Sequence, residues 1–320
     1  MKKNKYLFVC YMLLAIVVAS GIFTRTYISL EERQKDGAKI HVVTSFYPIY
    51  IAALNVAQNS PDIVLDNLSE PQTGCLHDYQ LTPQDMILLS KADLFLVNGN
   101  GIENFLADVG AAYPQLTISQ ASQGIELIST EEGFWREEHG DETHAHQEGN
   151  AHAWMDTRLY AQMVQKIADD LAGADPANQE LYQENAQRYC EKVQQLTNQM
   201  SELKELAEGM PVVILHEAFA YVTQQLGMQN LYCLNLDEER QVSAREAADM
   251  IDEITKRQGT IVFAEELYGK DIGNTVETET GAKVFYLDTL VRGDGQKDSY
   301  LDMTRQNIET LRSALGQANK

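Results

Sequence analysis

Residues 175–211 read DPANQELYQENAQRYCEKVQQLTNQMSELKELAEGMP, and the architecture turns on this stretch. Tyr182, Ala186, Tyr189, Val193, Leu196, Met200 and Leu203 recur at spacings of four and three, laying an apolar stripe along one helical face. Asp175-Pro176 opens the helix and Gly209-Met210-Pro211 stops it. About 30 residues at a helical rise span roughly 45 Å. Such a stripe also suits a coiled-coil seam between two chains. Its shortness and its place between two α/β units favour a spine within one chain, and hence a monomer with limited hinge opening.

Working outward from this helix, both sides alternate short β-rich runs with helical segments. Upstream, strands are predicted at Ile40 to Thr44, Ile63 to Asp66, Asp93 to Val97 and Leu116 to Ser119. Helices are predicted at Pro48 to Gln58, Gln84 to Ser90 (after the N-cap Thr82 and Pro83) and Ile102 to Val109. Downstream, Val212 to Leu215 is apolar throughout, as in the buried middle of a parallel sheet. A helix from Ala218 to Leu226 should end at Gly227, and Ser243-Ala244-Arg245-Glu246 is a capping box for a helix reaching about Arg257. Strands at Thr260 to Ala264 and Lys283 to Tyr286 and a closing helix at Tyr300 to Leu315 complete the pattern. The expected fold class is α/β, with two lobes of βα units and parallel-type sheets joined by one long rigid helix. The expected divisions are 1–23 and 24–38 ahead of the lobes, an N-terminal lobe at 39–174, the connecting helix at 175–209 and a C-terminal lobe at 210–320.

Lys2, Lys3 and Lys5 precede an apolar run from Tyr6 to Phe23, the signature of an export signal. Val18-Ala19-Ser20 offers a small-residue cleavage site, while the run is about long enough to stay as a single membrane anchor, so both fates remain open. Cys10 lies too deep in the run to read as a lipoprotein cysteine. The formal charge of −22 becomes about −25 without the three leading lysines, which argues against nucleic acid as a partner. Outside the signal only Cys75, Cys190 and Cys233 remain, an odd count that implies no disulfide framework. Cys75 reads as a small buried residue, a soft ligand, or half of a disulfide with Cys233.

Candidate ligands fall in four separate segments: His77 in Gly74-Cys75-Leu76-His77-Asp78-Tyr79, His152 in Asn150-Ala151-His152-Ala153-Trp154, His216 after Val212-Val213-Ile214-Leu215, and Asp288 after Val284-Phe285-Tyr286-Leu287. A single histidine after a strand is most often an ordinary loop residue, and Asp288 also suits a helix N-cap. Together, three imidazoles and a carboxylate suit a closed zinc site, and ligands in open α/β sheets gather at the carboxyl ends of strands. A further cluster, His139, His144 and His146 among acidic residues of the 131–150 loop, suits weak metal collection or a plain solvated linker. His41 is expected to be structural.

These segments, in order around a long helix, resemble the metal-specific solute-binding proteins of bacterial ABC importers for zinc and manganese. The motifs that carry the resemblance are Gly74-Cys75-Leu76-His77-Asp78-Tyr79-Gln80-Leu81-Thr82-Pro83, His152-Ala153-Trp154-Met155-Asp156, His216-Glu217-Ala218-Phe219-Ala220-Tyr221 and Leu287-Asp288-Thr289-Leu290 with Tyr300 and Asn307. The resemblance runs from about Lys39 to the C-terminus. It implies a metal cleft between the lobes, an exported protein at the outer face of the membrane or in the periplasm, and a membrane ABC permease as partner. It also implies Zn2+ as the transported ion, because zinc members carry histidine at the place of His216 where manganese members tend to carry glutamate. Zinc members often carry a histidine- and acid-rich loop where the 131–150 segment stands.

The chain departs from the family pattern at Cys75 and Leu76, where an acidic residue and a proline are usual; a thiolate contribution and a change in affinity stay open. Glu217 is expected to point away if His216 points inward. Affinity is expected to fall as pH drops through the imidazole range. Alternatives are a manganese-binding protein of the same type, a surface adhesin of the same fold, or an exported zinc hydrolase using Glu217 or Asp78 as base. No His-Glu-x-x-His helix supports the hydrolase, and a closed four-ligand site leaves no seat for its nucleophile.

Overall fold

Apolar strands buried on both faces demand helical cover and parallel pairing, and both halves of the chain meet that demand in the same way. The computed structural model describes residues 39–77, 79–129, 149–234, 236 and 242–318. Residues 1–38, read above as an export signal and linker, the 131–148 stretch with His139, His144 and His146, and Asp78 lie outside the described residues. Strands β1 (Ile40–Thr44), β2 (Ile63–Asn67), β3 (Leu94–Val97) and β4 (Thr117–Gln120) form one sheet in the order β2-β1-β3-β4. Strands β5 (Pro211–Ile214), β6 (Gln229–Cys233), β7 (Ile261–Ala264) and β8 (Lys283–Tyr286) form a second in the order β6-β5-β7-β8. The order is the same in each, with the first strand of each half second from the edge. The central pairs are parallel, Val43 against Phe95 and Val213 against Val262.

Helices α1 (Tyr47–Val56), α2 (Pro83–Leu89) and α3 (Leu106–Ala112) belong to the first half, followed by α4 (Thr157–Ala174) and the long α5 (Gln179–Ala207). All seven stripe residues of α5 are buried, packed against α4, α1 and the closing helix α9 (Ser299–Ala318). The stripe is therefore an intramolecular spine. Asn185 Nδ2 donates to the carbonyls of Val56 and Gln58 at 2.9 and 2.8 Å, and Tyr160 stacks on Tyr300 with ring centroids 3.6 Å apart. Among the described residues no helix is long and apolar enough to cross a membrane.

Three differences from the sequence reading have physical causes. The helix expected from Ile102 begins instead at Leu106, because Glu103 turns its carboxylate back onto the amides of Asn98 and Gly99 at 2.7 and 2.9 Å. Gly99, Asn100 and Gly101, all at positive φ, make that turn. Burial pushes the Glu103 carboxyl up to about 7 against the pull of those amides. Helix α8 (Glu266–Thr280), which follows α7 (Ala244–Lys256), escapes a propensity reading because it holds two glycines and three threonines. It forms because Gly269 and Gly273 let its backbone lie against β7 and β8: a Cβ on Gly269 would meet Ala264 Cβ at 2.8 Å, and one on Gly273 the Tyr286 hydroxyl at 2.8 Å. Strand β6 is missing from the sequence reading because only Tyr232 and Cys233 at its end are buried, which leaves no apolar run or alternation to mark it; it pairs with β5 across an irregularity between Val212 and Val213.

Candidate metal centre

His77 sits on a loop pinned from both sides. Gly74 turns the chain at a φ of 92°, Leu76 is wholly buried, and Asn104 Nδ2 donates to the His77 carbonyl at 2.6 Å. Beyond it, Asp85 accepts from Tyr79 Oη at 3.0 Å and Thr82 N at 2.7 Å, closing the capping box of α2. His152 opens a short 3-10 turn (Ala153–Met155) anchored by Trp154, whose indole N–H reaches the Thr289 carbonyl in the other half at 2.9 Å. His216 and Glu217 occupy the turn between β5 and α6 (Phe219–Gln225).

These loops bring three imidazoles together. His77 Nε2 and His152 Nε2 are 3.4 Å apart, and the His152 and His216 ring centroids are 5.3 Å apart, edge to face. Two zinc–nitrogen bonds of about 2.0–2.1 Å at a tetrahedral angle set their nitrogens roughly 3.4 Å apart. The same separation is long for an N–H···N hydrogen bond. Asn150 defines the His152 tautomer: its Oδ1 accepts from Nδ1–H at 2.9 Å and from the His152 amide at 3.0 Å, leaving the Nε2 lone pair for an ion. Asn150 also donates through Nδ2 to the Glu217 carbonyl at 2.8 Å, so one side chain ties the two halves at the site.

Glu217 does not point away. Its Oε1 lies 3.4 Å from His152 Nδ1 and 3.9 Å from His77 Nε2. Strict alternation of side chains ends with the strand; in the turn after Ile214 neighbouring residues project to the same side. Two overlapping donor groups result: His77, His152 and Glu217, and Cys75, His152 and His216, each with its donor atoms within 4.8 Å of one another. Asp288 belongs to neither. Its Oδ1 accepts from Leu290 N–H at 2.6 Å, and its backbone is clasped by Asn307 in α9 through two 2.8 Å bonds. It lines a neighbouring hollow with Glu265, Arg292 and Asn307. No disulfide joins Cys75 to Cys233. His41 lies within β1, its amide donating to Asp93.

Burial, then the neighbouring His77 and His216, hold the His152 imidazole well below its ordinary range. Burial, His77 and Arg292 lower His216 to about 3. Both rings are therefore neutral near pH 7, the form that ligates metal, and they stay so well below the ordinary imidazole range. The His216 ring accepts the Ala218 amide at Nδ1, 3.0 Å away, which puts its own proton on Nε2. Ligation through Nε2 requires that contact to break or the ring to turn over.

Parallel α/β halves on either side of a long central helix, with buried neutral imidazoles delivered from both, fit the class of solute-binding proteins for a metal cation. The family model for ZnuA, the periplasmic component A of the zinc-uptake complex, matches residues 42–314, and the chain belongs to this family. The high-affinity zinc uptake system protein ZnuA of Bacillus subtilis is 27% identical over 292 residues, covering 87% of this chain and 88% of its own. The iron-binding protein YfeA of Yersinia pestis is 27% identical over 310 residues, covering 95% and 96%. The crystal structure of the metal-dependent lipoprotein YcdH of Bacillus subtilis matches with a TM-score of 0.69 at 25% identity, over 86% of this chain and 98% of that chain. The chain is thus the extracytoplasmic substrate-binding component of an ABC importer for a divalent metal.

Proposed function

We propose that this protein captures zinc between its lobes, residues 39–174 and 210–320, and delivers it to a membrane permease. His77, His152 and His216 supply the nitrogen donors, and an anionic side chain, Asp288 in the reading from sequence, supplies the fourth. The observation that carries this reading is the 3.4 Å separation of the His77 and His152 Nε2 atoms, each from a different loop. Three nitrogens suit zinc; manganese asks for more oxygen, which places it second, although the family includes a relative named for iron. The 131–150 loop acts as a weak collector that raises the local concentration of metal. Either a cleaved signal or a retained N-terminal segment is compatible with this role at the outer face of the membrane.

Calorimetric titration of the purified protein with zinc, then manganese, then zinc against a chelator tests the reading. One tight zinc site that manganese does not displace is expected, weakened in the His152→Ala variant. Preferential manganese binding, or no tight site, refutes it. Deleting residues 139–146 should remove only a weaker second phase.

A further inference from the structure

A sulfur stands beside the imidazoles. Cys75 Sγ lies 3.8 Å from His152 Nε2, and Cys75, His152 and His216 present donor atoms all within 4.8 Å of one another. A zinc–sulfur bond of about 2.3 Å and a zinc–nitrogen bond of about 2.0–2.1 Å at a tetrahedral angle set the two donors roughly 3.6 Å apart. Cys75 and His77 flank the wholly buried Leu76, and both approach the same atom, Nε2 of His152. The sulfur is not held in a disulfide. Asp288, by contrast, falls in neither donor group; its Oδ1 accepts from the Leu290 amide and its backbone is clasped by Asn307.

We propose that Cys75 is a direct ligand of the transported ion and takes the fourth position beside His77, His152 and His216. The proposal rests on the zinc-capture reading above and makes Cys75, in place of Asp288, its anionic fourth donor. Ligation releases the Cys75 S–H proton to solvent while a sulfur lone pair forms the bond to the metal; nothing is oxidised. A three-nitrogen, one-sulfur site is softer than three nitrogens and an oxygen. It favours zinc and cadmium and turns manganese away.

The test loads the full-length protein with cobalt(II) and reads its absorption spectrum. Intense tetrahedral visible bands plus a near-ultraviolet sulfur-to-cobalt charge-transfer band are expected. Cys75→Ser should abolish the charge-transfer band and keep the visible bands, while cadmium affinity falls about tenfold or more, at least the loss usual for an outer-shell partner. Cys75→Asp should also lack the band and gain manganese affinity relative to cadmium. Tetrahedral bands without a charge-transfer band in the unmutated protein, or a band that survives Cys75→Ser, overturn the thiolate ligand and leave the histidine site standing. Absence of any tetrahedral cobalt spectrum overturns the zinc-capture reading itself.

Discussion

Asn150 touches no ion in the proposed site, yet Asn150→Ala should weaken zinc binding and destabilise the protein by separable amounts. Its Oδ1 accepts from His152 Nδ1 at 2.9 Å and from the His152 amide at 3.0 Å, and its Nδ2 donates to the Glu217 carbonyl at 2.8 Å. His152 is wholly buried, so its amide would have no water to turn to, while its Nδ1–H would keep only the longer contact to Glu217 Oε1 at 3.4 Å. A stranded buried donor costs about 1–3 kcal/mol, whereas the Glu217 carbonyl belongs to a partly exposed residue that water can reach. The expected loss of stability is about 1–3 kcal/mol, seen in urea unfolding of the zinc-free protein. Losing the partner that fixes a ligand's tautomer lowers metal affinity about 10–100-fold, or about 1.4–2.7 kcal/mol. Chelator-competition titration measures this, at a temperature where the variant is still folded. Asn150→Asp keeps an acceptor for Nδ1–H and should retain most of the affinity while losing the bond to Glu217. If Asn150→Ala binds zinc as tightly as the parent, or if Asn150→Asp is as damaging as Ala, the tautomer argument fails.

Helix α8 supplies a test of backbone packing. Gly269→Ala should destabilise by about 1–3 kcal/mol despite the better helix propensity of alanine, since the new Cβ would meet Ala264 Cβ at 2.8 Å; a raised melting temperature would refute the close approach. The buried histidines make the zinc-free protein sensitive to acid. His216 has its folded value lowered to about 3, so the unfolded chain binds the proton first, and stability is full above the ordinary imidazole range and lost as pH falls from about 6.5 toward 3. Urea midpoints measured from pH 7 to 4 should drop steadily, and His216→Gln should flatten the slope; an unchanged slope in that variant would count against the assignment.

Periodicity made the α5 spine legible because one face of a long helix must be apolar wherever it packs, and all seven stripe residues are buried as that requires. The same local logic located the N-cap at Thr82 and the capping box at Ser243, and the structure adds Asp85 as the reciprocal partner of Thr82. Strand-to-loop transitions marked His77, His152 and His216 as candidates. Asn150 was harder to see, although its place two residues before His152 is the spacing at which an Asx side chain reaches a following amide. Glu217 was misjudged because a strand's alternation was carried one residue too far into a turn.

Chain order, hydrophobic period and capping chemistry are short-range properties, so the alternating α/β plan, the spine and the candidate histidines could be read from the residues alone. The meeting of Cys75 and Glu217 with the imidazoles depends on contacts between distant segments, while helix α8 and the late start of α3 turn on how nearby residues pack and are buried. Gly269 against Ala264 is a packing fact, Glu103 bonded to Asn98 and Gly99 is a matter of burial, and the 3.8 Å between Cys75 and His152 joins residues 77 positions apart. No local pattern encodes such distances, because they are set by how the two halves close around the helix.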